Sequence, residues 1–306
     1  MMETRIIGRG ALSGVIAGIL GFTFARIFAE PVINQAIDYE SGRDDILDKL
    51  NDAAGLVSGP DGPEIFSRSI QSSVGIATGI IAFSAAMGAL VAVAYIVAHG
   101  RVNLRARTIV WLLAGYGFLG VFLLPFVKYP ANPPAIGHDF TIETRGYLYL
   151  IMVAASLLLL GAAVWVFVVA NRHFSTAASA GIAVLGFVVV YGFLIAMLPS
   201  LGDLSANIEA TKNFGFARAA TETPQPIVNI MDHPLIVDGK TVAPGQIVYP
   251  GFDADVLWKF RWYSLLNQML IWSTIGLVFG ALIDRLVGST NTPAERSRSA
   301  QLAAAE

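Results

Sequence analysis

The sequence predicts an all-α integral membrane protein of six transmembrane helices, with a small extracytoplasmic cap that contains a β-hairpin. Three observations predict it: long uncharged apolar blocks, a one-sided distribution of arginines between them, and one long polar interruption with hairpin chemistry. Of 306 residues, 55% are hydrophobic and 14% charged, against roughly 25% charged in a soluble domain. The apolar blocks span 10–25, 69–98, 108–127, 146–171, 174–202 and 262–283. A spanning helix needs about 20 mostly apolar residues, because lipid cannot hydrogen-bond a bare backbone. The first block reaches that length only with Arg26 near its end, where an arginine can snorkel to the interface.

Charge sets the orientation. On one side lie Arg5 and Arg9, the short links with Arg101, Arg105, Arg107 and Arg172, and the end with Arg285, Arg296 and Arg298, nine bases against four acids. The longer loops 30–68, 128–145 and 200–261 carry ten bases and eighteen acids. Short basic links stay in the cytoplasm, so both termini are expected there, in a bacterial inner membrane. The expected layout is 1–199 for spans one to five with the loop 30–68, 200–257 for the extracytoplasmic insertion, 258–287 for span six and 288–306 for a cytoplasmic tail.

Local chemistry refines the elements. Gly10, Gly14 and Gly18 make two overlapping GxxxG steps, which let helices approach closely in lipid. Pro31 is expected to stop span one. Asp44 to Leu50 reads as an amphipathic surface helix, and 59–63 as a Gly/Pro turn. In the insertion, Pro234 to Val242 reads as a β-hairpin with Asp238-Gly239 at its turn. Thr292, Pro293 and Glu295 fit a capping box for a short helix over 293–305. Tyr116-Gly-Phe-Leu119 before Pro125 matches Tyr191-Gly-Phe-Leu194 before Pro199, and arginines open the return spans. Three helical hairpins of one ancestry, 10–98, 108–172 and 177–285, are the reading this suggests.

The chain has no cysteine, which excludes disulfides and thiolate chemistry. HExxH, Walker and GxSxG motifs are absent, so no catalytic residue is expected and the protein is read as a non-enzyme. No histidine stands at mid-membrane, and nothing points to nucleic acid; the lipid bilayer is the expected surrounding. The most distinctive stretch is Pro125 to Asp139, whose prolines hold it extended with carbonyls free of helical bonding. At membrane depth such a segment must be buried in protein or line a wet cavity. Asn132, His138 and Asp139 beside it, with Glu30, Asp253 and Asp255 at neighbouring loop ends, offer oxygen and nitrogen donors that suit a weakly held divalent ion. The alternatives are a rigid solvated connector and, for Asp253 and Asp255, helix capping. Arg68, Arg145 and Arg261 stand where outer loops enter return helices, and pairing with Glu64, Glu143 and Asp255 would cancel their charge.

These residues resemble the CbtA family of predicted cobalt transporter subunits. The resemblance rests on Ala29-Glu-Pro-Val-Ile33, Ser67-Arg-Ser-Ile-Gln-Ser72, Pro125 to Gly137, Thr141-Ile-Glu-Thr-Arg145, Leu198-Pro199 and Asp253 to Arg261 with Ser264 and Leu265, in order along nearly the whole chain. The Lys128-Tyr-Pro-Ala-Asn-Pro-Pro134 core is its most specific piece. It implies a membrane permease subunit for a divalent transition metal, cobalt first, bound transiently with no resident cofactor. It also implies a small, histidine-rich, single-span partner of the CbtB kind. The family's link between spans five and six is usually short, whereas here Pro199 and Phe252 are far apart. That insertion keeps open a second reading, a structural or assembly subunit of a larger membrane complex.

Overall fold

The computed structural model describes residues 2–56, 67–102, 104–210, 215–217 and 222–290. The predicted turn at 59–63, Glu64 and the tail helix at 293–305 lie outside the described residues. Six helices are long and apolar enough to cross a membrane: Met2–Ala53, Arg68–Ala98, Ala106–Lys128, Ile142–Ala170, Thr176–Glu209 and Ala254–Leu286. In order, α1 (Met2–Phe24) passes through a π-helical turn, Ala25–Ala29, into α2 (Glu30–Ala53). Next, α3 (Arg68–Ile70) passes through a second such turn, Gln71–Gly75, into α4 (Ile76–Ala98). Likewise α5 (Ala106–Gly117) passes through Phe118–Leu123 into α6 (Leu124–Lys128). Then follow α7 (Ile142–Ala170), α8 (Thr176–Met197), the short α9 (Ser205–Ala210) and α10 (Ala254–Thr290). Contacts divide the chain into two compact units: Met1–Ala25, Arg68–Leu119 and Leu266–Glu306, and then Arg26–Ser67 and Gly120–Leu265.

In the first unit, the GxxxG steps do what their spacing predicts. A Cβ on Gly10 would fall 2.5 Å from both Ala92 Cβ and Gly88 O, and one on Gly14 would collide with Ser84 O. Antiparallel α1 and α4 therefore pack backbone to backbone. The second half of α10 turns Ile271, Ile275, Phe279 and Ile283 inward at four-residue spacing, all nearly solvent-free. Its small residues admit neighbours too: Gly276 faces Trp111, Gly280 faces Arg107, and the Trp272 ring lies over Gly117. Arg9 Nη1 donates to Leu282 O at 2.8 Å and ties α1 to the end of α10.

In the second unit, Pro31 does not end the first helix, contrary to expectation. The π-helical turn Ala25–Ala29 shifts the hydrogen-bond ladder just before it. Pro31 thus falls in the first turn of α2, where its missing N–H is not needed. The helix runs on to Ala53, and the predicted amphipathic stretch is its last part. Leu50 there is fully buried in a core with Phe216, Ile227, Leu235, Val237 and Val242. This core is the cap. Its strands form two antiparallel pairs, β1 (Ile227–Val228) with β4 (Ile247–Tyr249), and β2 (Leu235–Val237) with β3 (Lys240–Val242). The predicted hairpin is the second pair, Val237 opposite Lys240. Asp238 and Gly239 both have positive φ, 49° and 73°, as a type I′ turn requires. Arg43 of α2 is buried and donates to Gln225 O at 3.0 Å and Ala217 O at 2.9 Å, which fastens the cap to the helix.

Also in this unit, α7 and α8 pack through Leu148, Met152 and Tyr191. The extensive contacts of α8 are with α7.

Candidate functional site

The proline segment folds back onto the second unit, as a buried or cavity-lining segment must. Tyr129, Pro133 and Ile136 are buried. Two side chains at its start are tied to the end of α8: Lys128 Nζ donates to Leu198 O and the Tyr129 hydroxyl to Pro199 O, each at 2.9 Å. Further along, Arg261 donates from Nε to Ala131 O at 3.3 Å and from Nη2 to Asn132 Oδ1 at 3.0 Å. Arg145 Nη2 donates to His138 O at 3.2 Å. Prolines cannot supply ladder donors, and Arg261 and Arg145 instead satisfy two carbonyls of the segment, Ala131 O and His138 O.

The result is a stiff arch over a cavity of about 610 Å³. Besides the arch, Phe122, Phe126, Tyr149, Phe260, Glu40 and Arg145 line it. Its walls are aromatic and its polar groups few, the composition of a small-ligand site.

One corner of the arch is set by a residue that the sequence did not single out. Glu222 is 6% exposed. Its Oε1 accepts from Thr141 Oγ1 at 2.9 Å and from the His138 N–H at 3.5 Å, and its Oε2 accepts from Asn207 Nδ2 at 3.2 Å. Arg145 Nε lies 3.1 Å from Oε1, but its N–H is not aligned for a hydrogen bond, so that contact is coulombic. A buried carboxylate needs a counter-charge and filled lone pairs, and Glu222 has both. No local pattern marks it, because its partners are distant in sequence.

The expected arginine partners therefore change. Arg145 pairs with Glu222, not with Glu143, which stands exposed in the first turn of α7. An exposed carboxylate can be solvated without a counter-charge, while the buried acid demands the guanidinium. Arg261 bonds to neutral oxygens of the arch and not to Asp255. Arg68 opens α3 in the first unit.

Of the expected ion ligands, Asn132 is on the arch with its amide oxygen engaged by Arg261. The His138 ring stacks on Phe140, centroids 5.1 Å apart. Asp139 opens a 3₁₀ turn, Asp139–Thr141, and its side chain lies outside the described residues. Glu30 is buried and faces Arg26 at 3.7 Å, one turn away on the same helix. Asp253 Oδ1 accepts the Asp255 N–H at 2.7 Å, a helix-capping contact, and both acids are exposed. Among the described residues, no three His, Asp or Glu side chains gather as a ready metal site.

A family model described as the probable cobalt transporter subunit (CbtA) matches residues 3–284. The chain belongs to the CbtA family. No curated protein and no solved structure matches it. As a CbtA protein with six helices able to cross a membrane, it is a multi-pass membrane protein of a family described as a probable cobalt transporter subunit. The matched range contains the proline arch and both clamping arginines.

Proposed function

We propose that this CbtA chain is the permease subunit for a divalent transition metal, cobalt first, and that the cavity under the proline arch receives the ion. The observation that carries this reading is the arch itself: an extended, carbonyl-rich segment held back against the bundle by Arg145 and Arg261 over about 610 Å³ of space. The arch and Asn132 line that space, and with His138 and Asp139, which follow the arch in sequence, they are the proposed weak ligands; weak ligands suit an ion that must leave again. Glu30, Asp253 and Asp255 would add negative charge along the approach. Of the two clamping arginines only Arg145 lines the cavity, and Glu222 offsets its charge. In this reading the loops face outward and both termini face the cytoplasm of a bacterial inner membrane. The chain performs no covalent chemistry, and a small histidine-rich single-span partner supplies strong metal ligands. Uptake of radiolabelled cobalt under cobalt limitation tests it. Cells carrying the chain should accumulate more than cells without it, and equal uptake would overturn the proposal.

The cap, with a hydrophobic core of its own, favours a second reading as an assembly subunit. Purification in mild detergent separates the two: a stoichiometric large partner held through the cap supports assembly, and its absence counts against it.

A further inference from the structure

In the first unit, one and a half turns of α10 carry three buried polar atoms without a hydrogen-bond partner among the described residues: Asn267 Oδ1, Gln268 Oε1 and Trp272 Nε1. Each atom is out of contact with solvent. They sit deep in the membrane. Asn267 and Gln268 are within about 8 Å of the midpoint of the apolar stretch 262–283, at roughly 1.5 Å rise per residue, against a hydrocarbon half-thickness of about 15 Å. An amide oxygen left dry in hydrocarbon is costly, and a polar side chain kept at that depth marks a site.

The neighbouring helices are distorted at the same level. Asn267 Oδ1 lies against the Gly21 face of α1, 3.0 Å from where a Cβ would stand. Four residues on, the π-helical turn of α1 begins at Ala25. Gln268 precedes Trp272 by one turn, and the Trp272 ring covers Gly117, the last residue of α5 before its own π-helical turn begins at Phe118. On α4, Gly18 of α1 faces Ile81. Continuing that antiparallel pairing for two turns brings Ala25 level with Val74, inside the π-helical turn Gln71–Gly75. α1, α4 and α5 thus each carry a π-helical turn that begins in the first unit. A π-helical turn widens the helix and frees carbonyl oxygens, and such turns concentrate at functional sites.

We infer that Asn267 and Gln268 form an uncharged, oxygen-lined crossing site for a partly hydrated divalent cation in the first unit. The inference rests on the permease reading for its purpose and names a second station for the ion, distinct from the proline arch. Its ligands are the two amide oxygens and carbonyls that the first unit contributes at the starts of these turns, with water completing the shell. Neutral oxygens hold a divalent ion loosely, which permits passage, whereas a carboxylate would retain it.

Trp272 provides the reporter. In detergent-purified full chain with Trp111, Trp165, Trp258 and Trp262 changed to phenylalanine, cobalt(II) chloride should quench Trp272 fluorescence saturably. Asn267→Leu and Gln268→Leu should each weaken that quenching about tenfold, the loss of one direct ligand. Both should keep or raise thermal stability, because each removes a dry, unpartnered oxygen. Asn267→Asp should tighten binding and let magnesium compete. Quenching that is unsaturable, or unchanged in both leucine variants, would overturn the site. Saturable, variant-sensitive quenching without cobalt uptake by cells would remove the permease reading and leave the cation site standing.

Discussion

At Gly137 the backbone takes φ +130°, and an added Cβ would stand 2.6 Å from Arg145 Nη1 and 3.1 Å from Glu222 Oε1. Gly137→Ala therefore both strains the backbone and pushes on the ion pair that holds the arch. We expect a loss of about 2–3 kcal/mol, read as a lower unfolding temperature of the detergent-solubilised chain. Glu222→Gln keeps the shape and most hydrogen bonds but leaves the Arg145 charge unmatched. Arg145 is a quarter exposed, so the cost should fall at the low end of a broken buried pair, about 3 kcal/mol. Glu143→Gln, a few residues from Arg145 but exposed, should change stability by less than about 0.5 kcal/mol. If Glu143→Gln proves the more damaging of the two, the assigned partner is wrong. Residue-level features were legible only where their cause is local. Asp238-Gly239 announced its turn because two adjacent positive-φ residues are needed there and these two types tolerate them. Glu222 could not be read in that way. Its role depends on Thr141, Asn207 and Arg145 meeting it, and nothing in its own neighbourhood encodes that.

Among elements, the α1–α4 seam is the most sequence-determined. Substitution of Gly14 meets backbone on α4, whereas Gly8, two turns earlier on α1, has nothing within 4 Å of its Cβ position. Gly14→Val should prevent stable accumulation in the membrane, and Gly8→Val should leave it near wild type, measured by the amount of folded chain in detergent extracts. Equal accumulation of the two would contradict backbone-to-backbone packing. The length of α2 was not legible, because Pro31 is an ordinary stop signal and its rescue depends on a π-helical turn that no residue pattern in Ala25–Ala29 specifies. The same ambiguity affects the repeat: Pro125 lies inside the third span, after its π-helical turn, whereas Pro199 follows the end of α8. Matching prolines at matching sequence positions thus end up in different local structures.

For the whole molecule, six membrane-crossing helices were readable because the bilayer imposes length and polarity on each one separately. How those helices group depends on side-chain fit, which hydropathy does not carry. Because the chain has no cysteine, single cysteines report accessibility cleanly. Phe140→Cys, 46% exposed in the parent, should react quickly with a bulky impermeant maleimide in intact cells, and Ile136→Cys, 3% exposed, slowly. Labelling of Phe140→Cys only after permeabilisation would reverse the proposed orientation, and rapid labelling of Ile136→Cys would contradict the buried arch. The central claim, that an ion enters through the cavity under the arch, is tested most directly by the cobalt dependence of uptake in an Ile142→Trp variant. Ile142 lines the cavity and is 57% exposed, so the larger ring can occupy the mouth without disturbing a packed core. The account predicts normal accumulation of the variant in the membrane and a rise of about tenfold in the cobalt concentration that gives half-maximal uptake. An unchanged uptake curve at wild-type protein levels would contradict it.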